Sequence, residues 1–314
     1  METTETVELG EHTPGRRKLP AEAVELYNLF IHGAISRRAF GDGIKKLGIS
    51  GLAAATVMEM LMPKYAEAQQ IARNDFRIKA SYETIPSPNG NGTIKGYLVR
   101  PSGADTRDAK PMKLPGIIVV HENRGLNPHI EDIARRLALE NFMTFAPDGL
   151  TSMGGYPGDD YKGGLMFAKI DGKKMLEDMA AASLWLKGRE DCTGKIGITG
   201  FCYGGGVSNT MAVKLGTDLA AAAPYYGGVP MEADIAKIKA AILVHHGALD
   251  TRLSATWPGY DKALNAAGVP HEGYIYPNSV HGFNCDATPE RYNREASQLA
   301  WGRTVGWFNK YCRG

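Results

Sequence analysis

The sequence predicts an α/β fold, in which a mostly parallel sheet is covered by helices on both faces and preceded by an N-terminal helical extension. Short apolar runs alternate with stretches of helical periodicity from Phe76 onward, as in chains that form such sheets. Residues 114–120 form a continuous apolar run, which is typical of a strand buried on both faces. The 314 residues, 43% hydrophobic and 22% charged, also exclude a wholly disordered or fibrous chain.

Residues 1–75 are predicted to form the helical extension and residues 76–314 the main domain. Ala23, Tyr27 and Phe30 recur at helical spacing, which favours amphipathic helices that pack on the main domain. The alternative is a twin-arginine export signal around Ser36-Arg37-Arg38, followed by an apolar stretch from Leu47 to Met62 and an Ala-x-Ala site. We favour retained helices.

The main domain opens with a hairpin, because residues 82–85 and 94–99 alternate in polarity on either side of an Asn- and Gly-rich turn. The remaining elements follow from apolar runs and helical periodicity: strands at 114–120, 142–146, 195–199, 220–225, 240–245 and 273–276, and helices at 128–140, 174–187, 204–215, 258–267 and 298–311. In the last helix we expect Leu299, Val305 and Phe308 to face the core.

A glycine-rich turn, Gly200-Phe201-Cys202-Tyr203-Gly204, follows the strand at 195–199 and precedes a helix. Its Gly-x-Cys-x-Gly spacing is that of a nucleophile elbow with cysteine in place of serine. The helix N-terminus beneath the sulfur favours the thiolate over the thiol. Cys202 is therefore the candidate nucleophile.

Two further loops carry an acid and a histidine. Asp250 follows the strand at 240–245, and His281 follows the strand at 273–276. Functional groups of a parallel sheet gather beyond the carboxyl ends of its strands, so these residues are expected near Cys202. The order nucleophile, acid, histidine is the order of α/β-hydrolases.

The loop after the strand at 114–120 reads His121-Glu122-Asn123-Arg124-Gly125. We expect Glu122 near the elbow, as a second base or a substrate-binding group; a structural ion pair with Arg124 is the alternative. The backbone N–H groups of Asn123 and Tyr203 are candidates for an oxyanion hole, because such a hole takes one donor from each of these loops.

Together, these motifs resemble the dienelactone hydrolase family, whose name-giving enzyme is carboxymethylenebutenolidase. The motifs are His-Glu-Asn-Arg-Gly, Gly-Phe-Cys-Tyr-Gly-Gly, Asp250 and His281-Gly-Phe. The resemblance covers residues 76–314 and implies the α/β-hydrolase fold. Within the family, the paired arginines of the N-terminal segment make the chain similar to the YghX-type bacterial members.

The resemblance implies that Cys202 is the nucleophile, Asp250 the orienting acid and His281 the base, and that Glu122 helps to ionise the thiol. In the family an arginine a few residues beyond the histidine helps to hold a substrate carboxylate, but residues 282–286 contain none. This departure argues against the dienelactone itself while leaving ester or lactone chemistry intact. We expect Arg124, Tyr156 or Tyr161 to supply the missing contact.

The sequence thus predicts a cysteine hydrolase of small esters or lactones that acts through a thioester acyl-enzyme. A thioesterase or peptidase using the same triad, or a non-catalytic thiol sensor, is the alternative. Cys285, four residues beyond His281, is a candidate for the pocket wall but lacks the elbow sequence.

Neither a cofactor nor a metal site is predicted, since no ligand set has convincing spacing. The formal net charge of +2 gives no reason to expect nucleic acid, and no stable membrane insertion is expected. The N-terminal helices could also pair two subunits. A catalytic thiol favours the cytoplasm, whereas a functional export signal would direct the protein to the periplasm.

Overall fold

Eight strands form a single sheet in the described part of this computed structural model, residues 19–31, 34–48, 54–104 and 112–313. The strands are β1 (Ile78–Ser87), β2 (Gly92–Pro101), β3 (Leu114–Val120), β4 (Met143–Pro147), β5 (Cys192–Phe201), β6 (Ala221–Tyr225), β7 (Ala241–Gly247) and β8 (His271–Tyr276). Their order across the sheet is β1-β2-β4-β3-β5-β6-β7-β8. Strands β3 to β8 pair in parallel, and the β1–β2 hairpin adds an antiparallel edge. The predicted α/β architecture is confirmed.

The helices within the described residues are α1 (Ala21–Ile31), α2 (Arg37–Lys46), α3 (Ala54–Leu61), α4 (Tyr65–Ala68), α5 (Pro128–Leu139), α6 (Asp160–Phe167), α7 (Gly172–Gly188), α8 (Tyr203–Leu215), α9 (Glu232–Ile235), α10 (Thr251–Ser254), α11 (Trp257–Ala266) and α12 (Arg294–Phe308). None of these helices combines the length and the apolar character needed to cross a bilayer.

The core lies on both faces of the sheet. Successive strand side chains point to opposite faces, so in β3 the side chain of Ile118 joins one hydrophobic cluster while those of Ile117 and Val119 join the other. Helices α7, α8 and α11 cover the first cluster, and α5 and α12 cover the second. This double cover explains why β3, β4, β6 and β7 are buried along their whole length.

The closing helix differs from the prediction in where it begins and in the position of one side chain. It begins at Arg294, and its buried side includes Ala296, Ala300, Thr304 and Phe308, a spacing of four residues. Leu299 lies on the opposite side and is 49% exposed, so its predicted inward position is wrong. The helix starts four residues earlier than expected, and its inner face is defined by small residues that an apolar count overlooks.

The N-terminal helices have a small core of their own. Ala23 and Tyr27 of α1 pack with Phe40 of α2 and Val57 of α3, and Val280 of the main domain contacts the same cluster. Ser36 caps α2 by accepting a hydrogen bond from the Ala39 N–H at 3.1 Å, so the paired arginines lie in the first turn of a helix. Part of the apolar stretch from Leu47 to Met62, residues 49–53, lies outside the described residues.

Candidate active site

Cys202 occupies a strained turn between β5 and α8. Its φ of 55° and ψ of −112° are sparsely populated for a residue with a side chain, and such strain is typical of a nucleophile elbow. The turn lifts the thiol out of the strand so that it faces a cavity.

The glycines around Cys202 are required because backbones pass close to the elbow. A Cβ atom on Gly200 would lie 2.2 Å from the carbonyl oxygen of Gly204, and one on Gly204 would lie 2.4 Å from that of Val120. No rearrangement of a flexible side chain could relieve these contacts, since the opposing atoms are backbone. The Gly-x-Cys-x-Gly pattern thus has a steric cause in this fold.

Asp250 and His281 meet beside the elbow. Asp250 follows β7 and His281 follows β8, and Asp250 Oδ2 lies 2.6 Å from His281 Nδ1. The Cys202 sulfur lies close enough to interact with the charge of the imidazole, and Cys202 and His281 line the same cavity. The order and strand positions read from the sequence therefore bring the three side chains together.

The charges around His281 favour its protonated form. Burial disfavours the imidazolium, but the negative charge of the Cys202 sulfur and the bond to Asp250 outweigh it and raise the pKa of His281 to about 10. Burial likewise disfavours the ionised Asp250, but its bond to His281 prevails and the pKa of Asp250 is lowered. These shifts favour a protonated His281 imidazole next to an ionised Asp250 carboxylate.

The two residues predicted to supply the oxyanion hole border the same space. Asn123 and Tyr203 both line the cavity next to Cys202, and no hydrogen-bond acceptor for either backbone N–H is present among the described residues. Buried His121 fixes the loop that carries Asn123: its Nε2 accepts from the Gly149 N–H at 2.9 Å, and its Nδ1 donates to the Glu122 carbonyl at 2.5 Å. Burial lowers the pKa of His121, so it holds this position as a neutral ring.

The cavity above Cys202 has a volume of about 800 Å³. Its lining comes from α6 and α10 of the main domain and also from α1 and α3 of the N-terminal segment. Arg124 and Tyr161, two of the candidates for substrate contact, line it. Tyr156 does not line it, but its hydroxyl donates to Asp160 Oδ1 at 2.8 Å, and Asp160 does.

Comparisons with known proteins identify the family of the chain. A sequence profile of the dienelactone hydrolase family matches residues 94–312, well over half of the chain. The chain belongs to the dienelactone hydrolase family. A relative in Escherichia coli O157:H7 that bears the name carboxymethylenebutenolidase is 32% identical over 253 residues, 76% of this chain and 89% of the relative. As a member of this family, the chain is a hydrolase of ester or lactone bonds.

Two other proteins are similar to this chain, one in sequence and one in structure. The hydrolase fragment YghX of Escherichia coli K12 is 48% identical over 120 residues, which covers 38% of this chain and 97% of the fragment. The crystal structure of a protein named as a dienelactone hydrolase, from Klebsiella pneumoniae subsp. pneumoniae MGH 78578, superposes with a TM-score of 0.64 at 28% identity. The superposition covers 74% of this chain and 99% of that protein.

Sequence reasoning missed two charged residues of this dienelactone hydrolase family member. Arg291, ten residues beyond His281, is buried and joins Glu122, Arg124 and Cys202 around a small polar recess that opens beside the thiol. Its guanidinium lies against Gly282, where an added Cβ would approach Nη1 to 2.8 Å. Arg291 lies beyond residues 282–286 in the chain, and folding brings it back beside Gly282, next to the histidine.

The second missed residue is Asp160, at the start of α6. Its carboxylate accepts hydrogen bonds from the hydroxyls of Tyr65, at 2.6 Å, and of Tyr156, at 2.8 Å. Burial raises the pKa of Asp160, although both hydroxyls stabilise its charged form. The only signal in the sequence was its place in a glycine-rich loop after β4. Within the described residues, no group of three or more His, Cys, Asp or Glu side chains is arranged so that it could hold a metal ion.

Proposed function

We propose that Cys202, His281 and Asp250 hydrolyse small carboxylic esters or lactones through a thioester acyl-enzyme. The observation that carries the proposal is the grouping of three side chains at the elbow: a strained cysteine, an imidazole that lines the same cavity, and a carboxylate 2.6 Å from Nδ1 of that imidazole.

In the first half-reaction the Cys202 thiolate attacks the substrate carbonyl carbon, and the carbonyl electrons move to its oxygen. The N–H groups of Asn123 and Tyr203 stabilise that oxyanion, each contributing about 3 kcal/mol to the transition state. The oxyanion collapses, the C–O bond breaks, and the leaving alkoxide takes the proton of the His281 imidazolium. In a lactone the new hydroxyl stays tethered to the acyl group.

In the second half-reaction neutral His281 takes a proton from water, whose oxygen attacks the thioester carbon. Collapse of this second oxyanion breaks the C–S bond and releases the carboxylic acid, which restores the thiolate and imidazolium. Asp250 orients the imidazole through Nδ1 in both halves, so that its other nitrogen serves as acid and then as base.

The polar recess suits assistance to the thiol and recognition of a polar substrate group. We propose that Glu122 helps to ionise Cys202. Among the described residues no ion pair within 4.0 Å joins Glu122 to Arg124, which argues against the structural pairing with that residue. Arg124 and Tyr161 are proposed to contact substrate. Arg291 takes the place of the arginine that residues 282–286 lack, and its buried cation suits a substrate oxygen or carboxylate.

Turnover of p-nitrophenyl esters and small lactones by wild type and Cys202→Ala tests the proposal. We expect hydrolysis by wild type, an acyl-enzyme adduct on Cys202 detectable by mass spectrometry, and loss of turnover in the variant. Full turnover by Cys202→Ala would overturn the assignment. Rapid labelling of Cys202 in a wild type that hydrolyses none of these substrates would favour the thiol sensor, and hydrolysis of thioesters or peptides alone would favour the other alternative.

We propose a cytoplasmic enzyme that retains its N-terminal helices. Their packing beside Cys202 supports retention, since cleavage near Ala68 would remove α1 to α3 from the cavity wall. N-terminal sequencing of the protein from its native cell is expected to find the segment intact, and a new start near Ala68 would instead support export. Pairing of subunits through these helices is a further proposal, tested by sedimentation velocity.

A further inference from the structure

The N-terminal helices build one whole side of the cavity above Cys202. Tyr27, Phe30 and Ile31 of α1 line it, together with Met58 of α3 and Met62 just beyond α3. All five present apolar or aromatic surface. The segment therefore contributes a hydrophobic wall to a site whose reacting groups come from the main domain.

This wall is fixed to the catalytic loops by specific contacts. The side-chain amide of Asn123, from the proposed oxyanion loop, donates to the carbonyl of Ile31 at 3.1 Å. The N–H of Lys64 donates to the carbonyl of Ala287, in the segment that follows His281, at 2.6 Å. Contacts of this kind hold the wall at a set distance from Cys202.

A third contact joins the wall to α6. The rings of Phe30 and Tyr161 stack with centroids 6.2 Å apart and planes 18° from parallel, and Arg37 lies over the outer face of Tyr161. Leu165 and Phe167 continue the apolar lining along α6, and Leu253 adds to it from α10. Apolar side chains thus surround the space on several sides.

The volume of this chamber is far larger than a short acyl group needs. Cavities of about 300–1,000 Å³ bury ligands of drug size, and this one has about 800 Å³. The acyl group of a substrate stays bonded to the Cys202 sulfur after the alcohol leaves, so it needs a lasting site next to that atom. The chamber provides such a site.

We propose that the N-terminal helices are part of the substrate site and that the enzyme prefers esters with a large apolar acyl group, of about eight carbons, over acetyl or butyryl esters. This inference rests on the proposed function. Each methylene buried against the chamber wall raises kcat/KM by about fourfold if its transfer from water is fully used. We therefore expect octanoate to exceed butyrate by at least about tenfold.

The experiment measures kcat/KM for p-nitrophenyl acetate, butyrate, hexanoate and octanoate with four full-length proteins. Phe30→Ala opens the wall, and Met62→Trp fills the chamber from a position that is 41% exposed and so tolerates the larger side chain. Met231→Ala is the control, because Met231 is exposed at the start of α9 and does not line the cavity. Thermal unfolding of each protein confirms that it is folded.

We expect the octanoate-to-acetate ratio to fall by about tenfold in Phe30→Ala and in Met62→Trp and to stay at the wild-type value in Met231→Ala. A wild type that prefers acetate, or variants that lose the same fraction of activity on every ester, would overturn the inference while leaving the proposed hydrolase intact.

A second readout does not depend on turnover. Alkyl methanethiosulfonates react with a thiolate to form a mixed disulfide and release methanesulfinate, so their rate of reaction with Cys202 reports on the chamber alone. We expect the hexyl reagent to label Cys202 faster than the methyl reagent, and Met62→Trp to remove that advantage. Equal rates would overturn the inference even if no ester were hydrolysed, and a chain-length effect without any hydrolysis would overturn only the proposed function.

Discussion

Two clusters of cysteine, histidine and aspartate in the described part of the chain differ in their surroundings. In the first, His281 lies between Cys202 and Asp250 at the carboxyl ends of the strands. In the second, His129 of α5 lies 3.1 Å from Asp286 through Nδ1 and within hydrogen-bonding reach of the Cys285 thiol. Burial disfavours charge on both rings, and in both the neighbouring cysteine and aspartate raise the histidine pKa to about 10.

Access and backbone geometry separate the two. Cys202 is partly exposed, lies on a strained elbow and lines the chamber, whereas Cys285 is 2% exposed and lines neither the chamber nor the polar recess. Asp286 is also bound by Arg136, at 2.5 Å, so its charge is shared with a second cation. A substrate carbonyl can approach the first cluster, whose three residues are therefore suited to a reaction. It cannot approach the second cluster, in which the same residue types link α5 to the loop that carries Asp286.

Replacing the two cysteines in turn tests this distinction most strongly. Cys202→Ala is expected to lower kcat/KM for p-nitrophenyl esters by about 10⁵-fold or more, the size of effect seen when a triad nucleophile is removed. Cys285→Ala is expected to keep kcat/KM within about threefold, because that thiol reaches no substrate. Steady-state kinetics of both purified proteins measures the contrast, and a comparable loss in Cys285→Ala would refute it.

The sequence predicted the first cluster because each member follows a predicted strand. Strand order then brings Cys202, Asp250 and His281 to one edge of the sheet. The second cluster has no such marker. His129 lies inside a helix and Asp286 in an irregular loop, and only the folded chain shows that they meet. Cys285 was expected at the pocket wall from its distance to His281, but the turn directs it inward.

The position of the chamber wall also could not be predicted from the sequence. The helical spacing of Ala23, Tyr27 and Phe30 predicted a helix that packs on the main domain, and both features are present. Nothing in that spacing indicates which loops the helix contacts. Its position over Cys202 depends on contacts between residues far apart in the chain, such as Asn123 with Ile31.

The two aspartates provide the next contrast. Asp250→Asn is expected to lower kcat by about 10⁴-fold, because the amide cannot hold His281 in the productive orientation and tautomer. Asp286→Asn is expected to leave kcat within a few fold and to cost about 3 kcal/mol of unfolding free energy, because it leaves the cations of His129 and Arg136 partly unpaired in a buried place. Kinetics and urea unfolding of both variants separate the effects; a reversal of the two patterns would exchange the roles assigned to the clusters.

The titration of the two histidines gives a more local test. Each imidazole holds its proton until the pH approaches about 10, because a neighbouring anion stabilises the charged ring. Cys202→Ala removes that anion from His281 only, so the pKa of His281 should fall while that of His129 stays. Cys285→Ala should do the reverse. Imidazole ¹⁵N chemical shifts followed between pH 5 and 11 measure both rings, and parallel changes in the two would show that the clusters are not independent.

The smallest expected effect concerns the exposed side of the second cluster. The Gln70 side-chain amide donates a hydrogen bond to Asp286 Oδ2 at 2.8 Å. The backbone N–H of Gln70 donates to the Asp132 carboxylate, and substitution of the side chain does not remove this second bond. Because the side-chain bond is exposed to water, Gln70→Ala is expected to cost less than about 1 kcal/mol of unfolding free energy and to leave kcat/KM at the wild-type value. Urea unfolding and ester kinetics check both. Suppose instead that Gln70→Ala loses activity while Asp286→Asn stays fully active. The Gln70 contact beyond α4 would then act on the chamber wall and not on the buried charges of the second cluster.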